Sequence, residues 1–330
     1  MVSVVFKIKK LISIKIFYFY QKHKMFSAFA YYILVYPLSL LPLRVMYLFT
    51  DFFYLLLITL IPYRRKVVRG NIERSFPNMS TKEKRKIERK FYRHLTDLLA
   101  EGTKNLSISK KQLLKRFKVE NPEVIDQLYA QNKNVLLVSG HYNNWEWLIT
   151  GQNLLFKHQA VGIGMPLSNG FWDKKLNGRR SRFGMKVIHS KIVHDFFTNN
   201  KERISTLVLA DQSPGDSNKS YWMEFLNQTS GMLFGPEMLA NKYDQAVVYF
   251  SLHKVKRGHY SMRLKEITSS PGELKYGEIT EQFVHLLENT IKEAPQYWIW
   301  SHKRWKRDIP KDLEALRKQQ IIQFNEKFRS

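Results

Sequence analysis

Residues 134–148 read NVLLVSGHYNNWEWL, and the order of their chemistry decides the fold class. Asn134 leads into an unbroken apolar run, Val135-Leu136-Leu137-Val138, without the alternation of a half-exposed strand. Such a run, closed by Ser139-Gly140, reads as a strand covered on both faces, the usual state of a parallel strand. His141 follows the turn, and a helical pattern begins near Trp145. An imidazole at the C-terminal end of a parallel strand stands where α/β proteins build their sites.

Working outward, further β-rich runs appear at 160–164, 185–189, 204–209 (ISTLVL) and 246–251 (AVVYFS). Helical patterns fill the intervals at 170–183, 235–243 and 278–294. Strands alternating with helices predict an α/β fold, with a mixed or mostly parallel central sheet flanked by helices. The spacing divides the chain into residues 1–61, 62–120, an α/β domain at 121–310, and a polar C-terminal helix at 311–330.

The N-terminal part differs in kind. Its 120 residues hold a net charge of +18 of the chain's +26, while residues 121–240 hold +2. Six lysines and no acid lie in residues 1–24. Residues 25–43 are uncharged and interrupted by Pro37 and Pro42, and residues 45–61 carry only Asp51. A spanning helix needs about 20 apolar residues, so each stretch is marginal alone. Basic flanks favour the cytoplasmic side, and both flanks of this block are basic. That predicts a re-entrant hairpin or in-plane helices on the cytoplasmic face of a membrane, the alternative being a helical pair buried in a soluble core. A near-neutral centre argues against nucleic acid as the partner.

Residues 80–105 read as an amphipathic helix, with Ser80 and Glu83 as a capping box. Ile87, Phe91, Leu95 and Leu98 form its apolar stripe between Lys84, Arg85, Lys86, Arg89, Lys90 and Arg93. The basic face suits an anionic membrane, an acidic protein or plain solvent. The chain has no cysteine. Thiolate metal sites and cysteine nucleophiles are therefore excluded, and no histidine spacing suggests a metal.

His141 and Glu146 are five residues apart. They can meet only if the histidine lies in the turn and the carboxylate in the first helical turn. Such a pair would fix the imidazole tautomer for a general base. The arrangement resembles the His-x4-Asp/Glu motif of glycerolipid-type acyltransferases, and more closely the late lipid A acyltransferase family. Other blocks are similar to that family in the same order. They are Asn71-Ile72-Glu73-Arg74-Ser75-Phe76-Pro77, Asn177-x-Arg179-x-x-Arg182-x-Gly184, Leu209-Ala210-Asp211-Gln212, Phe225-Leu226-Asn227-Gln228-Thr229, Gly235-Pro236-Glu237, and Trp298-Ile299-Trp300-x-His302-Lys303-Arg304-Trp305. The chain departs from the family at Gly164-Met165-Pro166, where an arginine is usual, at Glu146 in place of Asp, and in the loop after Gln212.

The resemblance implies an inner-membrane enzyme on the cytoplasmic face. It would move a long acyl chain from an acyl carrier protein thioester to a hydroxyl of a lipid A precursor, with no other cofactor and no metal. The expected partners are acyl carrier protein, the lipid acceptor and an anionic membrane surface. An acceptor from another lipid class, or a non-catalytic membrane-binding protein, stands as the alternative. His141 would be the general base and Glu146 its orienting acid. Arg179 or Arg182 would hold a phosphate of the donor arm or lipid head, and Asp211 would bind the acceptor or pair with an arginine. For these last three a solvated helix face or a turn cap is the competing reading. His302, Lys303, Arg304, Lys306 and Arg307 read as a basic surface suited to phosphate, and Trp298, Trp300 and Trp305 as an interfacial belt or core packing.

Overall fold

The computed structural model describes residues 25–61, 63–164 and 167–329. The lysine-rich stretch at 1–24 and two members of the Gly164-Met165-Pro166 block lie outside these. Among the described residues the nine strands are β1 (Phe117–Val119), β2 (Asn134–Ser139), β3 (Gln159–Gly164), β4 (Lys186–His189), β5 (Ile204–Leu209), β6 (Ser220–Glu224), β7 (Thr229–Leu233), β8 (Gln245–Lys256) and β9 (His259–Thr268). Seven form one sheet in the order β1-β9-β8-β2-β5-β3-β4. Its pairings are parallel except at β8–β9, a hairpin that turns at Gly258 with φ +69°. The predicted mostly parallel α/β sheet is present. The sequence reading missed β1, β9 and the separate antiparallel ribbon β6–β7, because β1 has only three residues and the others mix polar and charged residues into their apolar ones without forming an apolar run.

The two-residue repeat of a strand sends Leu136, Val138, Val247 and Tyr249 to one face of the sheet. There they meet Ile279, Phe283, Val284 and Leu287 of the Glu278–Glu293 helix. Val135, Leu137, Ala246 and Val248 face the other layer, built from Leu113, Ile125, Leu128, Trp147 and Leu148. The same two layers draw in the N-terminal half. Val68, Ile72, Phe91 and Tyr92 join the first, and Leu43, Met46 and Tyr47 the second.

The amphipathic helix spans Thr81–Lys104 and starts at a complete Ser80–Glu83 capping box. Ile87 and Phe91 are buried, while Lys82, Arg85, Lys86, Arg89 and Lys90 face outward. Among the described residues no single helix is long and apolar enough to cross a membrane. Met25–Leu40 and Leu43–Thr59 instead form a pair bent by 119°. The break falls at Pro42, which ends one helix and starts the next. The second helix buries Leu43, Met46, Tyr47 and Leu57 but leaves Leu48, Phe49, Phe52 and Leu55 exposed. Asp51, its one acid, pairs with Arg93 and Arg257.

Candidate active site

β2 and β5 are parallel neighbours with Ser139 opposite Leu209, so their C-terminal loops emerge side by side. Ala210 N–H donates to Ser139 O (2.9 Å) and continues the ladder one step past the strands. The next residues, His141 and Asp211, therefore face one another. His141 Nδ1 lies 2.6 Å from Asp211 Oδ1, and His141 N–H donates to Asp211 Oδ2 (2.8 Å). Trp298 Nε1 donates to the same Oδ2 at 2.8 Å. Gly140 makes the approach possible, since a Cβ there would sit 2.8 Å from Asp211 Oδ2 and 2.9 Å from Leu287 Cδ1.

Asp211 is 1% exposed and the imidazole 17%. Burial by itself raises the Asp211 pKa. The charge of His141 and the hydrogen bonds from His141 and Trp298 outweigh it, holding the carboxyl below the ordinary aspartate range. An ionised Asp211 accepts the Nδ1–H, and in the neutral imidazole that tautomer puts the lone pair on Nε2. The amide of Gln212 lies 3.2 Å from Nε2 and occupies that lone pair in the resting site. Trp145 packs edge-on against the imidazole, with ring centres 5.1 Å apart.

The acid beside His141 is thus Asp211, not Glu146 as the five-residue spacing suggested. Asn143 adopts a left-handed conformation (φ 52°), and Asn144 caps the Trp145–Leu155 helix through Trp147 N–H (3.1 Å). This reversal carries Glu146 toward the Gly170–Arg180 helix, where its carboxylate bridges Arg179 and Arg180 (Arg180 Nη2 at 2.5 Å). Burial raises the Glu146 pKa, but the two guanidinium groups overcome it and hold it low.

The two expected phosphate-holding arginines face inward as well. Arg179 also donates to Gly102 O (3.3 Å). Arg182 donates to Asn105 O (3.0 Å), Leu106 O (2.5 Å) and Ile108 O, carbonyls left open where the Thr81–Lys104 helix ends. Neither presents a free guanidinium fork, because each is committed to chain groups that need donors.

The same fold brings the distant sequence blocks to this place. Asn71 Nδ2 donates to Trp300 O and His302 O, both at 2.9 Å. His302 Nε2 accepts the Ser213 N–H (3.2 Å), and burial lowers its pKa and keeps the ring neutral for that task. Trp298 and Trp300 are buried, which settles them as core packing.

The sequence profile of the bacterial lipid A biosynthesis acyltransferases matches residues 18–307. The chain belongs to that family. It is 23% identical over 246 residues to the lipid A biosynthesis lauroyltransferase of Escherichia coli K12, covering 74% of this chain and 79% of that protein. A lipid A biosynthesis acyltransferase of Haemophilus influenzae Rd is 23% identical over 278 residues, covering 75% and 84%. The palmitoleoyltransferase of lipid A biosynthesis in Escherichia coli K12 is 22% identical over 247 residues, covering 74% and 79%.

Sequence reasoning also missed a supporting residue in this family member. Glu101, fully buried, accepts from Tyr47 Oη (2.6 Å), Tyr260 Oη (2.7 Å) and Asn144 Nδ2 (2.6 Å), and its carbonyl accepts from Trp147 Nε1 (3.0 Å). Burial pushes its carboxyl pKa up.

Proposed function

We propose that this family member transfers an acyl chain from an acyl carrier protein thioester to a hydroxyl of a lipid A precursor. The observation that carries the reading is the His141–Asp211 contact, with Nε2 left as a base at the end of β2. As the hydroxyl oxygen attacks the thioester carbonyl, Nε2 takes its proton. The new C–O bond forms and the C–S bond breaks, and the imidazolium returns the proton to the leaving thiolate. Asp211 stabilises the imidazolium and fixes its tautomer, as the acid of a Ser-His-Asp triad does. Glu146 acts at one remove, by tying Arg179 and Arg180 to the first turn of the helix that follows His141.

A membrane setting is supported by Phe49, Phe52 and Leu48 on the exposed side of the bent helical pair. In sequence the pair is followed by Arg64, Arg65, Lys66 and Arg69, and apolar side chains flanked by basic ones suit an anionic interface. The outward basic face of the Thr81–Lys104 helix would speed the capture of an acidic carrier protein. The test is transfer of a labelled acyl chain from acyl carrier protein to a lipid A precursor by the purified protein. Transfer is expected, with loss of at least a hundredfold in His141→Ala. Full activity in that variant would sink the mechanism, and transfer only to other lipids would reassign the acceptor.

A further inference from the structure

Arg304 is buried to 2% exposure, yet among the described residues no carboxylate lies within ion-pair distance of it. Both of its hydrogen bonds leave from Nη2, to Gly231 O and Met232 Sδ, each 2.7 Å long. Its Nε is buried with no partner at all. A buried guanidinium with no carboxylate in contact is costly, and burial brings the Arg304 pKa down to about 10 although the charge of Asp211 opposes it. An arginine held this way is short of an anion.

Arg304 lines a cleft of about 330 Å³ together with Pro214, Gln228, Trp305 and Arg307. Arg307 is exposed, and its Nε donates to Pro214 O (2.7 Å). Arg74 reaches the same rim, donating to Gln228 Oε1 (2.7 Å) with its guanidinium 5.9 Å from the Trp305 ring. Asp211, whose charge reaches Arg304, is already committed to His141 and Trp298. The cleft adjoins the proposed site. Pro214 is three residues past Asp211, and the Trp305 ring packs 6.0 Å from Trp298, which donates to Asp211.

We propose that this cleft binds a phosphate group of one of the two substrates, with Arg304 as its buried contact and Arg307 as its outer one. Guanidinium groups suit phosphate because their N–H forks match its oxygens. The inference rests on the acyl-transfer reading for the origin of the phosphate, but binding itself can be measured without turnover. The phosphate comes from the lipid head or from the pantetheine arm of the donor.

The test begins with methyl phosphate binding to the full-length protein in detergent. Arg304→Gln and Arg307→Gln should each weaken it about tenfold. His141→Ala and Lys86→Gln should leave it unchanged. Equal weakening by Lys86→Gln would show diffuse attraction to a basic chain and overturn the site, as would unaltered binding in both arginine variants. Where Arg304→Gln does not fold, the exposed Arg307→Gln carries the comparison. In turnover, the Arg307→Gln KM should rise for a phosphate-bearing lipid but not for its dephosphorylated form if the lipid is the source. If the donor is the source, the same contrast should appear between acyl phosphopantetheine and acyl pantetheine. A failure of all acyl transfer alongside retained, Arg307-dependent phosphate binding would sink the catalytic reading alone.

Discussion

His141 and Asp211 stand 70 residues apart in sequence and 2.6 Å apart in space, each two residues beyond the end of a paired parallel strand. The contact is a consequence of register. With Ser139 opposite Leu209, the chains leave the sheet in step and the two side chains meet in the first available positions.

Gly140 is the most sensitive backbone position in this arrangement. A methyl group at Gly140→Ala would press on Asp211 Oδ2 at 2.8 Å and on Leu287 at 2.9 Å. Acyl transfer should fall by about tenfold to a hundredfold, since displacement of a catalytic group by about 1 Å costs that much. Steady-state kinetics beside a thermal unfolding curve would check it, with a folded variant of unchanged rate as the contrary result.

Glu146 gives a different signature. Glu146→Ala strands Arg179 and Arg180 in a mostly buried place, so unfolding should cost about 3 kcal/mol less than in the wild type. Because Glu146 does not touch His141, the pH–rate profile of a folded Glu146→Gln protein should keep its wild-type shape. A profile whose basic limb moves would place Glu146 in contact with the base after all.

Glu237 supplies a pH dependence of stability. It accepts hydrogen bonds from Gly277 N–H (2.6 Å), Thr280 N–H (2.9 Å) and Thr280 Oγ1 (2.6 Å), joining the Gly235–Tyr243 helix to the start of the Glu278–Glu293 helix. Burial raises its pKa to about 7. The protonated form is thus favoured in the folded chain, and its contribution is complete below the unfolded value near 4.5. It is lost as pH rises toward 7, by on the order of 3 kcal/mol. Glu237→Gln, uncharged at every pH, should hold its stability between pH 4.5 and 7 while the wild type loses its own, so the difference shifts in favour of the variant as pH rises. Parallel denaturation curves over that range would expose a constant gap as contrary.

The exposed apolar side of the bent pair should bind lipid. Phe49 is 59% and Phe52 64% exposed. Phe49→Ser with Phe52→Ser should weaken flotation with anionic vesicles by about a hundredfold, from the apolar area lost. Activity on detergent-dispersed substrate should persist. Unchanged flotation would remove this face from the membrane contact.

The sheet was legible where strands were continuous apolar runs. NVLLVS and AVVYFS announce covered strands, and the capping box at Ser80–Glu83 announces its helix. His141 was legible as a strand-end imidazole. Its acid was harder to find, because Glu146 is near in sequence and Asp211 is near only through the β2–β5 register. A left-handed Asn143 decides between them, and no spacing rule reports that conformation. Arg304 escaped for a related reason. Among Lys303, Lys306 and Arg307 it reads as one more surface cation, and only its packing against Phe225 and its bonds to Gly231 and Met232 show it to be buried.

The most direct test sets the two candidate acids against each other in one assay. Single-turnover acyl transfer is measured for folded Asp211→Asn and Glu146→Gln under identical conditions. Asp211→Asn should lose about a thousandfold or more, as loss of the tautomer-fixing acid does in a Ser-His-Asp triad, while Glu146→Gln loses about tenfold or less. A near-normal rate in Asp211→Asn, with the larger loss in Glu146→Gln, would contradict the His141–Asp211 pair as the catalytic unit.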